Sequence, residues 1–106
     1  MEKLIRYYVA QNGQSPFVEW MKKIKDHTMQ SRIERRIERM ALNNYGDYKF
    51  IGEGVYELRL DFGAGYRVYF AEQDETIVII LCGGDKSTQK RDIEAAKHFW
   101  QKLRSA

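Results

Sequence analysis

Two runs of alternating apolar and polar residues flank a glycine-containing turn in the segment VYELRLDFGAGYRVYF, residues 55–70. Because successive side chains of a strand point to opposite faces of a sheet, this pattern predicts a β-hairpin. One face would carry the apolar set Tyr56, Leu58, Leu60, Phe62, Tyr66, Val68 and Phe70. We therefore expect this face to form the core and the opposite, mixed face to be free for chemistry.

The turn Gly-Ala-Gly at residues 63–65 determines which residues of the hairpin face each other. A three-residue loop predicts that Asp61 faces Arg67 across the two strands. The same register places Arg59 opposite Tyr69. Both arginines then share the mixed face, and we expect them to form one concave surface with a basic residue that follows the next strand.

A chain of 106 residues is typical of one domain, which we expect to span residues 1–106 without help from a metal ion, a cofactor or a disulfide. Cys82 is the only cysteine and ends an apolar strand, so we expect a buried small hydrophobic residue. The N-terminal residues lack a signal-peptide pattern, and no run approaches the roughly 18 apolar residues of a membrane span. These features predict a cytoplasmic protein that does not associate with a membrane.

The charge is distributed unevenly along the chain. Residues 1–50 carry ten Lys or Arg and six acidic residues, a net charge of +4, whereas residues 51–106 carry eight and nine, a net charge of −1. The basic first half favours a polyanion such as nucleic acid, or an acidic protein partner. The alternative is a solvated helix face without a partner.

The first half of the chain predicts one strand and two helices. Residues 3–9 alternate and predict a strand, and Ser15 followed by Pro16 is typical of a helix N-cap and first helical position. This helix should end between residues 25 and 27, and Thr28 would cap a second helix. The apolar stripes of the two helices are Phe17, Trp20, Met21, Ile24, Met29, Ile33, Ile37, Met40 and Ala41.

The second half predicts a loop, three strands and a helix. Residues 43–54 contain asparagines and glycines and predict a loop, and an apolar strand at residues 76–82 follows the hairpin. Ser87 or Thr88 would cap the last helix. The expected fold class is α+β: a predominantly antiparallel sheet of about four strands, with the first strand on one edge, an N-terminal helical hairpin and a C-terminal helix.

The cations of the mixed face suggest phosphate chemistry. Cleavage of RNA without a metal ion requires removal of the 2′-OH proton, stabilisation of the charge that develops on phosphorus, and protonation of the departing 5′-oxygen. Preorganised cations meet the second requirement. The catalytic candidates are Arg59, Arg67 and Lys86, the last of which follows the strand beside the hairpin.

Each candidate also has a purely structural interpretation. Arg67 opposite Asp61 would be an ordinary cross-strand ion pair, Arg59 a neutralised surface residue, and Lys86 a turn residue. The carboxylates of Glu57 and Asp61 either weaken the positive field on a phosphate or act as proton acceptors. The two histidines are weaker candidates, because His27 and His98 belong to predicted helices.

Four segments of the chain resemble the RelE/ParE toxin superfamily, in particular its HigB-like, phage-derived addiction module killer proteins. They are YELR at 56–59, GYRVY at 65–69, GGDKSTQ at 83–89 and RDIEAA at 91–96. The resemblance implies a RelE-like fold and the toxin of a type II toxin–antitoxin system, usually a ribosome-dependent mRNA endoribonuclease that inhibits translation. It also implies a cognate antitoxin, a small helix-turn-helix protein encoded by a neighbouring gene.

The resemblance also implies roles for individual residues. Arg67 matches the arginine assigned to phosphate stabilisation, Arg59 lies where relatives carry a catalytic lysine, and Lys86 lies where they carry a second basic residue. The hairpin departs from the family pattern because it contains no histidine and carries acidic residues on its mixed face. The expected RNA-binding residues are Arg32, Arg36, Tyr69 and Gln89.

Three classes of function follow from these observations. The first is a ribosome-dependent ribonuclease, the second a ParE-like gyrase poison that binds without cleaving RNA, and the third a degenerate toxin that retains only antitoxin binding. A mixed face whose charges were fully neutralised by its own ion pairs would favour the second or third class. A face that keeps spare cations would favour the first.

Overall fold

The elements of the fold run from an N-terminal strand to a C-terminal helix in a computed structural model that describes residues 2–106. Lys86–Thr88 form a short 3₁₀ helix before the last α-helix. The strands and α-helices are β1 (Leu4–Tyr7), α1 (Pro16–Lys22), α2 (His27–Ala41), β2 (Tyr48–Gly52), β3 (Val55–Arg59), β4 (Arg67–Gln73), β5 (Ile77–Gly84) and α3 (Gln89–Arg104).

The strands form one mixed sheet with the order β1-β5-β4-β3-β2. Strands β2, β3, β4 and β5 pair with one another in antiparallel orientation. Strand β1 forms the edge of the sheet and runs parallel to β5. The predicted α+β class, the meander and the edge position of the first strand are therefore confirmed. The sheet has five strands where about four were expected.

The additional strand is β2, which lies within the segment predicted as a loop. The Phe50 ring of β2 packs on the Tyr56 ring of β3 with 5.2 Å between ring centroids. The Tyr48 ring also packs on Tyr56, with 6.1 Å between centroids. These aromatic cross-strand contacts favour pairing. The sequence did not predict this strand because it is short, ends at Gly52 and is followed by Gly54; the two glycines adopt positive φ angles of 101° and 81°.

The predicted register of the hairpin is wrong by two residues. Arg59 faces Arg67, and Glu57 faces Tyr69. The ladder continues only to a hydrogen bond between residues 60 and 66, so the connection is longer than the three residues expected. A shift of two residues preserves the alternation of faces, so the two arginines still share a face.

Asp61 lies outside the mixed face of the sheet as a result of this register. The residue follows the end of β3, where it is exposed and lines a groove along α2. Its charge acts on Arg36 of that helix. The predicted pairing of Asp61 with Arg67 is therefore wrong.

The helix termini depart from the prediction by a few residues. The Ser15 hydroxyl accepts a hydrogen bond from the Val18 amide, as expected of an N-cap, but α1 ends at Lys22. Asp26 rather than Thr28 caps α2, because its carboxylate accepts hydrogen bonds from the amides of residues 28 and 29. Thr88 occupies the N-cap position of α3 but makes no side-chain capping hydrogen bond.

Helices cover both faces of the sheet, so the expectation of a free face is wrong. The apolar face packs against α1 and α2 as predicted, and α3 packs against the mixed face. The first core contains Phe17, Ile33, Ile37, Met40, Tyr45, Leu58, Leu60, Val68, Phe70, Val78 and Ile80, with Trp20, Ile24, Tyr56, Phe62 and Tyr66 packed against it. The second contains Tyr8, Val55, Tyr69, Ala71, Ile79, Leu81, Cys82, Ala96 and Trp100. The continuously apolar sequence of β5 is the signal of burial on both faces.

Cys82 belongs to the second core, and its thiol is free and buried, as the sequence predicts. Burial, reinforced by the charge of Asp92, raises the pKa of this thiol to about 12. Within residues 2–106, the helices lack the length and apolar character needed to cross a membrane.

The first core should dominate stability. Replacing Leu58 or Ile37 by alanine should lower the free energy of unfolding by about 2–5 kcal/mol, because each change leaves a cavity. Leu42→Ala removes the same atoms as Leu58→Ala from a side chain that is 63% exposed, and should change stability by under about 0.5 kcal/mol. Denaturant unfolding of the three variants measures the difference, and equally small effects in all three would contradict this assignment of faces.

Candidate functional site

The carboxylate of Glu57 is the centre of a polar cluster at one end of the second core. Glu57 is 0% exposed, and its Oε2 accepts hydrogen bonds from the Tyr69 hydroxyl at 3.0 Å and from Gln89 Nε2 at 2.8 Å. Its Oε1 accepts from Arg59 Nε at 3.1 Å. One carboxylate therefore connects β3, β4 and the start of α3.

Arg67 lies beside this carboxylate with part of its guanidinium unpaired. Its Nη1 donates to the carbonyls of Gly65 and Tyr66, both at 3.1 Å. Its Nε lies 4.0 Å from Glu57 Oε1, within ion-pair distance, and is buried without a hydrogen-bond partner among residues 2–106. A buried donor without a hydrogen bond is rare and marks Arg67 as a functional candidate.

Lys86, in the 3₁₀ helix, lies beside the turn that holds Arg67. Its aliphatic chain lies against Gly65, where an added Cβ would come within 2.8 Å of Lys86 Cγ. Gly65 also has a positive φ of 75°. A glycine at this position therefore allows Lys86 to approach the segment whose carbonyls hold Arg67.

The electrostatics keep this cluster positive. Burial alone raises the pKa of the Glu57 carboxyl, but hydrogen bonds from Gln89, Arg59 and Tyr69 outweigh burial, so the pKa lies below its ordinary value. Burial and the neighbouring Glu57 charge raise the pKa of Tyr69. Glu57 is thus an ionised carboxylate that three donors already bind, and its single negative charge lies beside two cations, Arg59 and Arg67.

The structure brings four of the seven predicted residues together at Glu57. Arg59, Tyr69 and Gln89 bind its carboxylate directly, and Arg67 Nε lies 4.0 Å from it. Lys86 packs against the neighbouring Gly65 instead. Arg32 and Arg36 belong to α2, which packs on the opposite face of the sheet. The predicted RNA-binding residues therefore occupy two separate surfaces.

The second surface is a groove of about 700 Å³ along α2. Arg36 links α2 to the neighbouring backbone on one side of this groove. Its guanidinium donates hydrogen bonds to the carbonyl of Arg59 at 3.3 Å and to that of Tyr45 at 3.1 Å. Arg32 lies over the Phe62 ring, 3.9 Å from its centroid. We call this surface the arginine groove, and its lining is Thr28, Arg32, Arg35, Arg36, Glu38, Arg39, Leu42, Asp61 and Phe62.

The role of Glu57 as the organising anion was not predicted. The sequence marks it only as an acidic residue on the mixed face, and the signal that identifies it is its cross-strand position opposite Tyr69 once the register is known. His27 starts α2 and His98 is exposed on α3. Across residues 2–106, no three His, Cys, Asp or Glu side chains form a group that could hold a metal ion.

These features define a small α+β domain with a five-strand mixed sheet and a buried polar cluster. Residues 19–101 match the family model described as phage derived protein Gp49-like (DUF891). The chain is also 47% identical, over 87 residues, to a Haemophilus influenzae (strain Rd) protein that bears the description "Uncharacterized protein". This similarity covers 82% of the chain and 88% of that relative. The chain belongs to the Gp49-like phage-derived family, a member of the RelE/HigB-like toxin superfamily.

The Glu57 cluster should make stability depend on acid pH. Because the folded-state pKa lies below the ordinary 4.5, the contribution of Glu57 is present above that pH and is lost as pH falls through the folded-state value. Glu57→Gln should lower the free energy of unfolding at pH 7 by about 2–4 kcal/mol, since it places an amide among buried donors. It should also flatten the acid dependence.

Denaturant unfolding between pH 3 and pH 7 measures both effects. Glu53→Gln is the matched control, because Glu53 is a mostly exposed carboxylate whose ion pair with Lys97 is a surface contact at 3.4 Å. Equal behaviour of the two variants would show that Glu57 does not organise the cluster.

Proposed function

We propose that this protein is the toxin of a type II toxin–antitoxin pair and acts as a ribosome-dependent mRNA endoribonuclease of the HigB-like branch. The observation that carries the proposal is the buried Arg67 guanidinium with its unpaired Nε. Membership of the Gp49-like family supports the setting. In this proposal the scissile phosphate approaches the exposed part of the Arg67 side chain, which is 11% exposed.

The chemistry follows from the charges of the cluster. When the 2′-oxygen attacks phosphorus, additional negative charge develops on the phosphate oxygens, and cations already held in place stabilise it without reorganisation. Arg67 supplies a planar guanidinium fixed by two carbonyls, and Arg59 and Lys86 supply the remaining charge. Glu57 positions Arg59 and does not abstract the proton, because three donors already occupy its oxygens.

The charge balance favours cleavage over the binding-only alternatives. A gyrase poison or a degenerate toxin needs no spare cation on this face. Arg59 and Arg67 share the single carboxylate of Glu57, at 3.1 Å and 4.0 Å, and Lys86 is exposed. One negative charge thus stands against three positive charges. Two positive charges therefore remain for a phosphate.

Arg67→Ala should abolish growth arrest and messenger cleavage, because loss of a preorganised donor typically costs about 10²- to 10³-fold in rate. Arg67→Lys should retain part of the activity, since lysine keeps the charge but loses the planar fork. Arg6→Ala removes the same side chain from an exposed position of β1 and should leave both readouts unchanged.

Inducible expression of the wild type and the three variants, with mapping of cleaved messenger ends and a thermal melt of each protein, tests this assignment. An Arg67→Ala variant as toxic as the wild type, with an unchanged melt, would show that Arg67 is structural. Growth arrest by the wild type without messenger cleavage would favour the gyrase-poison alternative.

The proposed antitoxin docks on the arginine groove through an acidic helical segment. Residues 32, 35, 36 and 39 recur at the spacing of one helix face. Leu42, which is exposed, and Phe62 add apolar surface to the groove. An amphipathic acidic helix provides both the charge and the apolar side chains that complement such a surface. Glu38 and Asp61 also line the groove, and their negative charges disfavour the binding of a continuous phosphate backbone.

Association with the product of the neighbouring gene should therefore slow as ionic strength rises. The double variant Arg35→Glu with Arg39→Glu should reduce the association rate at low salt by about tenfold or more. Arg104→Glu with Lys102→Glu makes the same charge change at the far end of α3 and should have a smaller effect. Stopped-flow association kinetics measure the rates, and equal slowing by the two double variants would contradict docking at this groove.

A further inference from the structure

A second cleft, of about 490 Å³, lies beside the candidate catalytic cluster. It is enclosed by the segment after α1, the turn at residues 64–66 and the start of α3. Tyr66 lines this cleft with its side chain, and its carbonyl holds Arg67 Nη1. The cleft and the catalytic cluster therefore share one segment of backbone.

Two aromatic rings line the cleft. Trp20 and Tyr66 meet edge to face, with 5.8 Å between centroids and 77° between ring planes. The Trp20 ring covers the backbone of β5 so closely that a Cβ at Gly83 would collide with it. Aromatic side chains that line a cleft suit a planar ring as ligand.

One buried acceptor of the cleft is only partly used. Asp92 is 8% exposed, and its Oδ2 accepts a hydrogen bond from the Thr88 hydroxyl. Nε of the exposed Arg91 lies 3.7 Å from its Oδ1, which is beyond hydrogen-bond distance. The carboxylate lies against the backbone of Gly84, where a Cβ would collide with it.

The other two carboxylates of the cleft are less buried than Asp92. Asp26 Oδ1 caps α2, and Asp85 Oδ1 caps the 3₁₀ helix. Asp92 is thus the most buried carboxylate of the cleft, and its Oδ1 can accept a hydrogen bond from a ligand that donates an N–H. Exposed cations at Lys23, Lys25 and Arg91 line the same cleft, and they suit a ligand that carries phosphate.

We infer that this cleft binds one nucleotide of the RNA next to the scissile phosphate and selects a base with an exocyclic amino group. The inference rests on the proposed ribonuclease function. The amino groups of adenine, cytosine and guanine can donate to Asp92 Oδ1 while the ring lies against Trp20 and Tyr66. Uracil places two carbonyl oxygens beside its single N–H, and these oxygens face the carboxylate with like partial charge.

Nucleoside monophosphates test the inference on the isolated protein, without the ribosome. NMR titrations with AMP, CMP, GMP and UMP should shift the amides of Gly83 and Gly84, and UMP should bind about tenfold more weakly than the tightest of the others. Asp92→Asn presents an amide in place of the carboxylate and should remove this discrimination. Its thermal melt establishes that it is folded.

A second variant keeps the test informative if Asp92→Asn does not fold. Arg91→Gln removes an exposed cation and should weaken all four monophosphates several-fold, whereas Lys102→Gln, the same charge change near the other end of α3, should not. Amides that do not shift, or UMP that binds as tightly as CMP, would overturn the inference. Nucleotide binding by a protein that cuts no messenger would instead count against the ribonuclease proposal alone.

Discussion

A buried carboxylate is the interaction on which the candidate site depends. Removing Glu57 from water costs several kcal/mol unless its oxygens are fully hydrogen-bonded. Tyr69, Gln89 and Arg59 satisfy this requirement from three different elements. Because Gln89 must donate to this carboxylate, the polar cluster also determines how the start of α3 packs against the hairpin. The need to hydrogen-bond the buried Glu57 carboxylate therefore determines both the packing of these elements and the position of Arg59.

Alternation along the hairpin predicted the faces of the sheet better than it predicted the pairing. The loop length gave a register two residues away from the observed one, yet Arg59 and Arg67 still share a face because the period of a strand is two. The same period gives no information on what covers each face. Only the apolar run of β5 indicated that α3 would close the mixed face, leaving Glu57 and Arg67 buried.

The remaining errors have local causes. Tyr48–Gly52 reads as a loop because turn residues surround it, although its rings find partners on β3. Charge alone does not report the face on which a helix packs, so the sequence could not show that Arg32 and Arg36 lie across the sheet from the Glu57 cluster. Their role in RNA binding stays a prediction. Asp92 was not singled out, since its burial depends on the approach of α3 to Gly84, a contact between elements adjacent in space rather than a pattern along the chain.

Arg67 departs from the rule that buried donors are satisfied, and the departure is confined to one atom. Two carbonyls hold its Nη1, while Nε remains 4.0 Å from the carboxylate that would pair with it. Burying a donor in this way costs stability. The surrounding fold keeps it because Arg59 takes the nearer position on Glu57 Oε1. The guanidinium is thus held in place at a cost in stability, and in proteins such local violations of the hydrogen-bonding rule cluster at functional sites.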